Sequence, residues 1–144
     1  LFAVALWIKR KNIFLMSILK IKKCFLFAKN AKNAYGKAVH FFLDDYQFNR
    51  VWTNPDRYIP MLQKFKYVLT PDFSLYTDFP KPLQIYNHYR KHWLGAYWQI
   101  HGINVIPTIC WSDKDSFEWC FDGEPMQSVV AVSSVGTQKR NNAL

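Results

Sequence analysis

Val105-Ile-Pro-Thr-Ile-Cys-Trp111 and Val129-Val-Ala-Val132 are the two runs that decide how this chain folds. Both are rich in β-branched residues and flanked by turn formers, so they predict buried strands of a parallel sheet. His101-Gly102 stands before the first run, and 114–121 reads as a short helix between the two, capped by Ser112 or Asp113. Polar residues follow each run, Ser112-Asp113 after the first and Ser133-Ser134 after the second. In parallel α/β folds ligands bind at the carboxyl ends of the strands, which marks these positions as a candidate site.

Working outward toward the N-terminus, the same unit repeats. Ala38-Val-His-Phe-Phe-Leu43 predicts a strand that starts after Gly36 and ends at Asp44-Asp45. A helix in two pieces follows, 46–52 and 55–65, with Asn54 as cap and Pro55 at the first helical position. Tyr58, Met61, Leu62 and Phe65 recur at spacings of three and four, giving one apolar face. Tyr67-Val-Leu-Thr70 is the next strand, and a loop from Asp72 leads to the longest helix, from Pro80 or Pro82 to about Ile100. Along that helix Leu83, Tyr86, Asn87, Arg90, Leu94, Tyr97 and Trp98 recur by threes and fours. Strands alternating with helices imply parallel strands joined by right-handed crossovers. The predicted class is α/β, with alternating β-α units and a mainly parallel sheet, resembling part of a (β/α) barrel or an open sheet. The last strand has no covering helix after it, so its exposed edge predicts a C-terminus that is truncated or completed by a partner.

The formal net charge is +9, with Lys and Arg totalling 19 against 10 Asp and Glu. All of the excess lies in residues 1–39, which carry nine basic residues and no acid. That divides the chain into a basic apolar leader at 1–37, partly disordered or non-native, a single α/β domain at 38–136 and a tail at 137–144. The apolar clusters of the leader are broken by Lys9-Arg-Lys11 and by Lys20-Ile-Lys-Lys23. None reaches the roughly 18 to 20 apolar residues of a membrane span, although an amphipathic surface helix remains open there. Cys24, Cys110 and Cys120 form no close pair and are odd in number, which disfavours a disulfide framework or structural zinc and predicts a reducing, cytoplasmic setting.

Parallel strands in register would gather Asp44 and Asp45, Asp72 and Ser74, Ser112 and Asp113, and Ser133 and Ser134 on one rim. Carboxylates from three successive loops suit Mg²⁺ or Mn²⁺ and phosphoryl transfer or hydrolysis, and two held close could instead work as acid and base. The competing reading is that an aspartate between a strand and a helix is simply an N-cap, with Asp113 and Asp45 at such points. Asp72 differs, because a loop rather than a helix follows it. His88 and His92 share a helix face, but Tyr89 stands where a zinc-peptidase motif has glutamate, and a solvated pair is the expected arrangement. Gln84, Asn87 and Arg90 form a polar row that faces solvent or reaches the rim to hold an anion. Phosphate loops and nucleophile elbows are absent from the sequence.

Val39-His-Phe-Phe-Leu-Asp-Asp-Tyr-Gln-Phe-x-Arg-Val-Trp52, Pro71-Asp-Phe-Ser-Leu-Tyr76, Gln84-Ile-Tyr-Asn-x-Tyr-Arg90, Gly102-Ile-x-Val-Ile-Pro107 and Phe117-x-x-Cys-Phe-Asp-Gly123 stand in this order. Over about residues 17–140 they resemble DUF4417, a family of bacteria, phages and other mobile elements with no established activity. The resemblance implies a longer protein and places the motif residues at Asp44, Asp45, Asp72, Ser74, Gln84, Asn87, Arg90 and Trp111. The sequence departs from the family pattern at His92, where a second arginine is usual, and at Thr137, where a cysteine is common. Two functions are therefore expected. One is a metal-dependent enzyme on a phosphate-bearing or nucleotide-like substrate, with Asp44, Asp72 and Asp113 as metal or acid-base groups and Asp45, Ser74, Gln84, Asn87, Arg90, Trp111 and Ser133 binding substrate. The other is a non-catalytic accessory or DNA-associated protein of a mobile element, which holds nucleic acid through its basic N-terminal segment.

Overall fold

The computed structural model describes residues 3–9, 12–19, 23–24, 34, 36–126 and 128–133, the first three stretches by backbone alone. Ser134, Gly136, Thr137 and the tail lie outside the described residues. The strands are β1 (Ala3–Lys9), β2 (Asn12–Leu19), β3 (Lys23–Cys24), β4 (Ala38–His40), β5 (Tyr67–Leu69), β6 (Val105–Ile106) and β7 (Val130–Val132). The helices are α1 (Asp45–Phe48), α2 (Arg50–Thr53), α3 (Ile59–Leu62) and α4 (Lys81–Ile100), with 3₁₀ turns at Asp56–Tyr58 and Asp115–Glu118.

β3, β4, β5 and β6 pair in parallel in chain order. β7 joins next to β6 through a parallel bridge between Thr108 and Ala131. The break in the β6 ladder has a chemical cause: Pro107 has no N–H to give, so pairing resumes at Ala131 N to Pro107 O (2.7 Å) and Ile109 N to Ala131 O (2.8 Å). Beyond the end of β5, Thr70 and Thr108 carry the pairing on with side chains. Thr108 N donates to Thr70 Oγ1 at 2.7 Å, and Thr108 Oγ1 donates to Thr70 O at 2.8 Å. The α/β class with a parallel sheet is therefore as the strand and helix pattern predicts, although the strands are shorter than the apolar runs.

The N-terminal stretch holds strands where an amphipathic helix was open. β1 and β2 form an antiparallel hairpin with an irregularity between Ala5 and Leu6. β1 also pairs antiparallel with β7, matching Val4 to Val132 and Leu6 to Val130. The edge of β7 that the sequence leaves bare is thus occupied by the chain's own first strand.

Period-two alternation separates the two faces of the sheet. Val39, Phe41 and Val68 turn into the main core with Phe48, Val51, Leu62, Leu94 and Trp98, and Trp98 stacks on Phe41 at 5.6 Å. Ala38, Phe42, Leu69, Ile106 and Ala131 form a second, smaller cluster on the other face. α4 lies close over the first face because position 95 is glycine: a Cβ there would stand 2.9 Å from Thr70 Cγ2. It ends in a Schellman motif, with Gly102 at φ +75°, Gly102 N bonding to Gln99 O and Ile103 N to Trp98 O.

The buried stripe of α4 is not the one its apolar residues suggest. Gln84, Asn87, Lys91, Leu94, Gly95 and Trp98 face inward, while Leu83, Tyr86, Tyr89 and Trp93 are exposed. Trp52 gathers Tyr86, Tyr89 and Trp93 edge-on at 5.4 to 6.2 Å, which explains why aromatic residues can occupy the outer face.

Candidate functional site

A cleft of about 800 Å³ opens at the carboxyl ends of β4, β5, β6 and β7. Asp44 and Gln47 come from the loop and helix after β4, Asp72 to Thr77 from the loop after β5, Cys110 to Ser112 from the segment after β6, and Ser133 from the end of β7. Each is there for the same reason: a parallel strand delivers its following loop to the same rim. Among the residues named from sequence, Asp44, Asp72, Ser74, Trp111, Ser112 and Ser133 line the cleft, whereas Asp45, Gln84, Asn87, Arg90 and Asp113 do not.

The residues that miss the cleft hold those that line it. Asp45 accepts from Ser74 N at 3.1 Å and from Ser74 Oγ at 2.8 Å, tying the second loop to the first. Asn87 Nδ2 donates to Ser74 O at 2.7 Å. Gln84 Oε1 accepts from Ser112 Oγ at 2.6 Å, and Gln84 Nε2 donates to Phe79 O at 2.8 Å. Arg90 donates to Asn49 Oδ1 at 3.0 Å and Asn87 Oδ1 at 2.5 Å, and lies over the Phe73 ring at 3.9 Å. In the polar row of α4, Gln84 and Asn87 are buried and Arg90 is half-buried, and none of the three lines the cleft. The row faces inward and fastens three loops.

Asp113 is a cap: its Oδ1 accepts from Ser116 N at 3.1 Å. Among the described residues no three His, Cys, Asp or Glu side chains stand together as a metal site requires, so Asp44, Asp72 and Asp113 are not gathered as one ligand set. The register brings only Asp44 and Asp72 into the same cleft, because Asp113 turns back onto its own helical turn.

Asp72 and Cys110 form the polar floor. Burial pushes the Asp72 carboxyl up to about 6, against the lowering effect of its hydrogen bond with Cys110 and of the Lys91 charge. Burial, reinforced by the negative charge of Asp72, pushes the Cys110 thiol up well beyond its ordinary range, so the thiol stays protonated at neutral pH. Cys110 Sγ also lies 3.9 Å from Phe73 O. Lys91 is 1% exposed and pairs with Glu124 at 2.6 Å. Burial raises the Glu124 carboxyl, and Lys91 opposes that rise.

His88 and His92 are half-buried and held by contacts, where the sequence predicts a solvated pair. Their rings stand 4.2 Å apart, His92 Nε2 is 2.8 Å from Glu124 Oε1, and His88 Nε2 is 3.2 Å from Asp122 O. Burial, helped by the Lys91 charge, lowers each to about 4, which makes both neutral clamps on the segment that precedes β7.

Sequence reasoning missed Lys91, Glu124, Cys110, Gln47 and Tyr76 as parts of the site's surroundings. Lys91 was within reach, since it continues the inward spacing of Gln84 and Asn87. Cys110 carried no signal beyond lying at the end of an apolar run.

The family model for DUF4417, described as a domain of unknown function, matches residues 14–144. The chain belongs to this family. Among curated relatives of this DUF4417 chain is the Gene 1 protein of Mycobacterium phage L5, 55% identical over 106 residues that cover 74% of the chain and 45% of that protein. The Gene 1 protein of Mycobacterium phage D29 is 52% identical over 101 residues, 70% of the chain and 37% of that protein. The chain thus spans less than half the length of the curated relatives it matches. No solved structure matches it. Among the described residues no helix is long and apolar enough to cross a membrane.

Proposed function

We propose that the cleft is a small-molecule site with general acid–base chemistry, in which Asp72 gives or takes a proton and Asp44 supplies a second carboxylate. The observation that carries this reading is that two carboxylates in unlike surroundings line one cleft, Asp72 sunk beside Cys110 and Asp44 exposed on the rim. Unlike environments are how one site keeps one acid protonated while its neighbour does other work. At about 6, Asp72 is poised close to neutral pH, the range where proton transfer in both directions is effective.

A phosphate-bearing substrate fits less well, because the described lining residues include no Lys or Arg; Arg90 lies outside the lining and gives one bond each from its two terminal nitrogens to Asn49 and Asn87. Such a substrate would need Mg²⁺ or Mn²⁺ held by Asp44 and Asp72, with phosphate oxygens completing the shell. Carboxyl NMR on the full chain separates the two. Acid–base work expects Asp72 to titrate near 6 and the signal to vanish in Asp72→Asn. Titration in the ordinary carboxylate range would overturn the reading, as would a rise in melting temperature with Mg²⁺ and inorganic phosphate that Asp72→Asn abolishes.

The charge distribution supports a second reading, nucleic-acid contact through the N-terminal segment, where nine basic residues meet no acid. Replacing Lys9, Arg10, Lys11, Lys20, Lys22 and Lys23 by Gln should flatten the salt dependence of DNA binding. An unchanged slope would remove this reading.

A further inference from the structure

Resting on the acid–base reading of the same cleft, we infer that its ligand is an uncharged polyhydroxylated ring, a sugar or a nucleoside, gripped by its hydroxyl groups and stacked on an aromatic side chain. The argument starts with which way the lining hydroxyls point their protons. Ser74 Oγ donates to Asp45 and Ser112 Oγ donates to Gln84, both partners standing behind the cleft wall. A serine hydroxyl has one proton and two lone pairs, so with its proton spent each serine meets a ligand as an acceptor. Asp44 adds carboxylate oxygens, also acceptors. The ligand that satisfies this wall must be rich in donors.

Phosphate and carboxylate anions offer almost none, and no Lys or Arg among the described lining residues balances their charge. Hydroxyl groups and ammonium groups both donate. The open aromatic faces of Trp111 and Tyr76 at the mouth of the cleft decide between them in favour of a ring. Asp72, raised to about 6, exchanges its proton close to neutral pH and in its protonated form donates to a ligand oxygen. Gln47 and Thr77 line the cleft too and carry both donors and acceptors, the mixture a ring of hydroxyl groups matches.

The apolar part of the cleft completes the fit. Trp111 is 41% exposed and Tyr76 54% exposed, and both line the opening. Large aromatic faces left open at the mouth of a cleft of mixed polar and apolar lining suit the C–H face of a sugar or the plane of a base. The volume of about 800 Å³ accommodates a molecule of one or two rings.

The test uses the full chain and four probe classes: monosaccharides (glucose, galactose, mannose), nucleosides (adenosine, cytidine) and putrescine, each followed by saturation-transfer NMR and tryptophan fluorescence, and inorganic phosphate, followed by phosphorus NMR line broadening and tryptophan fluorescence. A member of the first or second class should bind, with dissociation constants below about 10 mM, and which class binds identifies the source of the ring. Trp111→Ala should weaken that binding at least tenfold and Trp111→Phe should restore most of it. Ser112→Ala should weaken it while circular dichroism shows the chain folded. Binding by putrescine or phosphate in place of both ring classes overturns the inference, and so does binding by none of the four. Titrating Asp72 in the same samples keeps the two claims apart. A value near 6 with no ring binding defeats only the ligand class, whereas an ordinary carboxylate value defeats the acid–base reading itself.

Discussion

Asp72→Asn should stabilise the protein at neutral pH and lose that advantage in acid. Burial holds the folded Asp72 carboxyl at about 6 against 3.8 for a free side chain. Between those values the folded chain keeps a proton that the unfolded chain has released, so stability falls as pH rises across this window and is lowest above it. At 1.36 kcal/mol per unit the full effect is about 3 kcal/mol by pH 8 and about 0.5 kcal/mol at pH 4. The amide that replaces the carboxyl has the same shape, never ionises, and keeps an oxygen for the Cys110 thiol, so Asp72→Asn should recover most of that difference. Urea unfolding of both proteins at pH 4 and pH 8 gives four free energies. The variant's gain at pH 8 should exceed its gain at pH 4 by about 2.5 kcal/mol. The histidines titrate alike in both proteins and cancel in the comparison. Equal gains at the two pH values, or a variant less stable at pH 8, would refute the claim that Asp72 is a buried acid.

Glu124→Gln leaves the buried Lys91 ammonium without its counter-charge and should cost about 3 to 5 kcal/mol in urea unfolding, whereas Lys91→Met with Glu124→Leu should cost much less. Gly95→Ala gains about 1 kcal/mol of helix propensity but drives its Cβ to 2.9 Å from a Thr70 methyl that two hydrogen bonds to Thr108 hold in place. A net loss of about 1 to 3 kcal/mol is expected, with recovery when Thr70→Ser removes the methyl. His88 and His92 are held at about 4, so the unfolded chain takes up their protons first and stability is lost as pH falls from 6.5 through 4. Thermal melts of His88→Gln/His92→Gln at pH 7, 6 and 5 should show a shallower fall than the parent.

The order of strands and helices was legible because each parallel strand is an apolar run closed by turn formers, a signal that survives even where only two or three residues make ladder bonds. The extents were not. Pro107 sits inside the run 105–111 and stops the β6 ladder at Ile106, yet Thr108 and Ile109 continue in a different pairing, to β7, which no local pattern announces. The inward face of α4 was hidden for a related reason. Hydrophobic periodicity finds the buried side of a helix only when burial is apolar, and here Gln84, Asn87 and Lys91 occupy that side while Trp52 collects the aromatics outside.

That inversion bears on the site more than on the fold. A polar side chain under a cleft cannot be spared its partners, since an unpaired amide or ammonium in that position costs more than its hydrogen bond returns when made. Gln84 therefore demands Ser112, Asn87 demands Ser74, Arg90 demands Asn49, and Lys91 demands Glu124, each from a different stretch of chain. The sequence shows Gln84, Asn87 and Arg90 as a row and marks them as binding residues, which the chemistry of each alone allows. Only three-dimensional placement shows that the atoms lining the cleft belong to their partners. One helix then sets the positions of Ser74 and Ser112 together, and with them the loops that carry Asp72 and Trp111, so a change at Asn87 or Gln84 should alter ligand affinity without touching a ligand. Affinity unchanged in Asn87→Leu, for any ligand the cleft is found to hold, would mean that the loops keep their places without the helix.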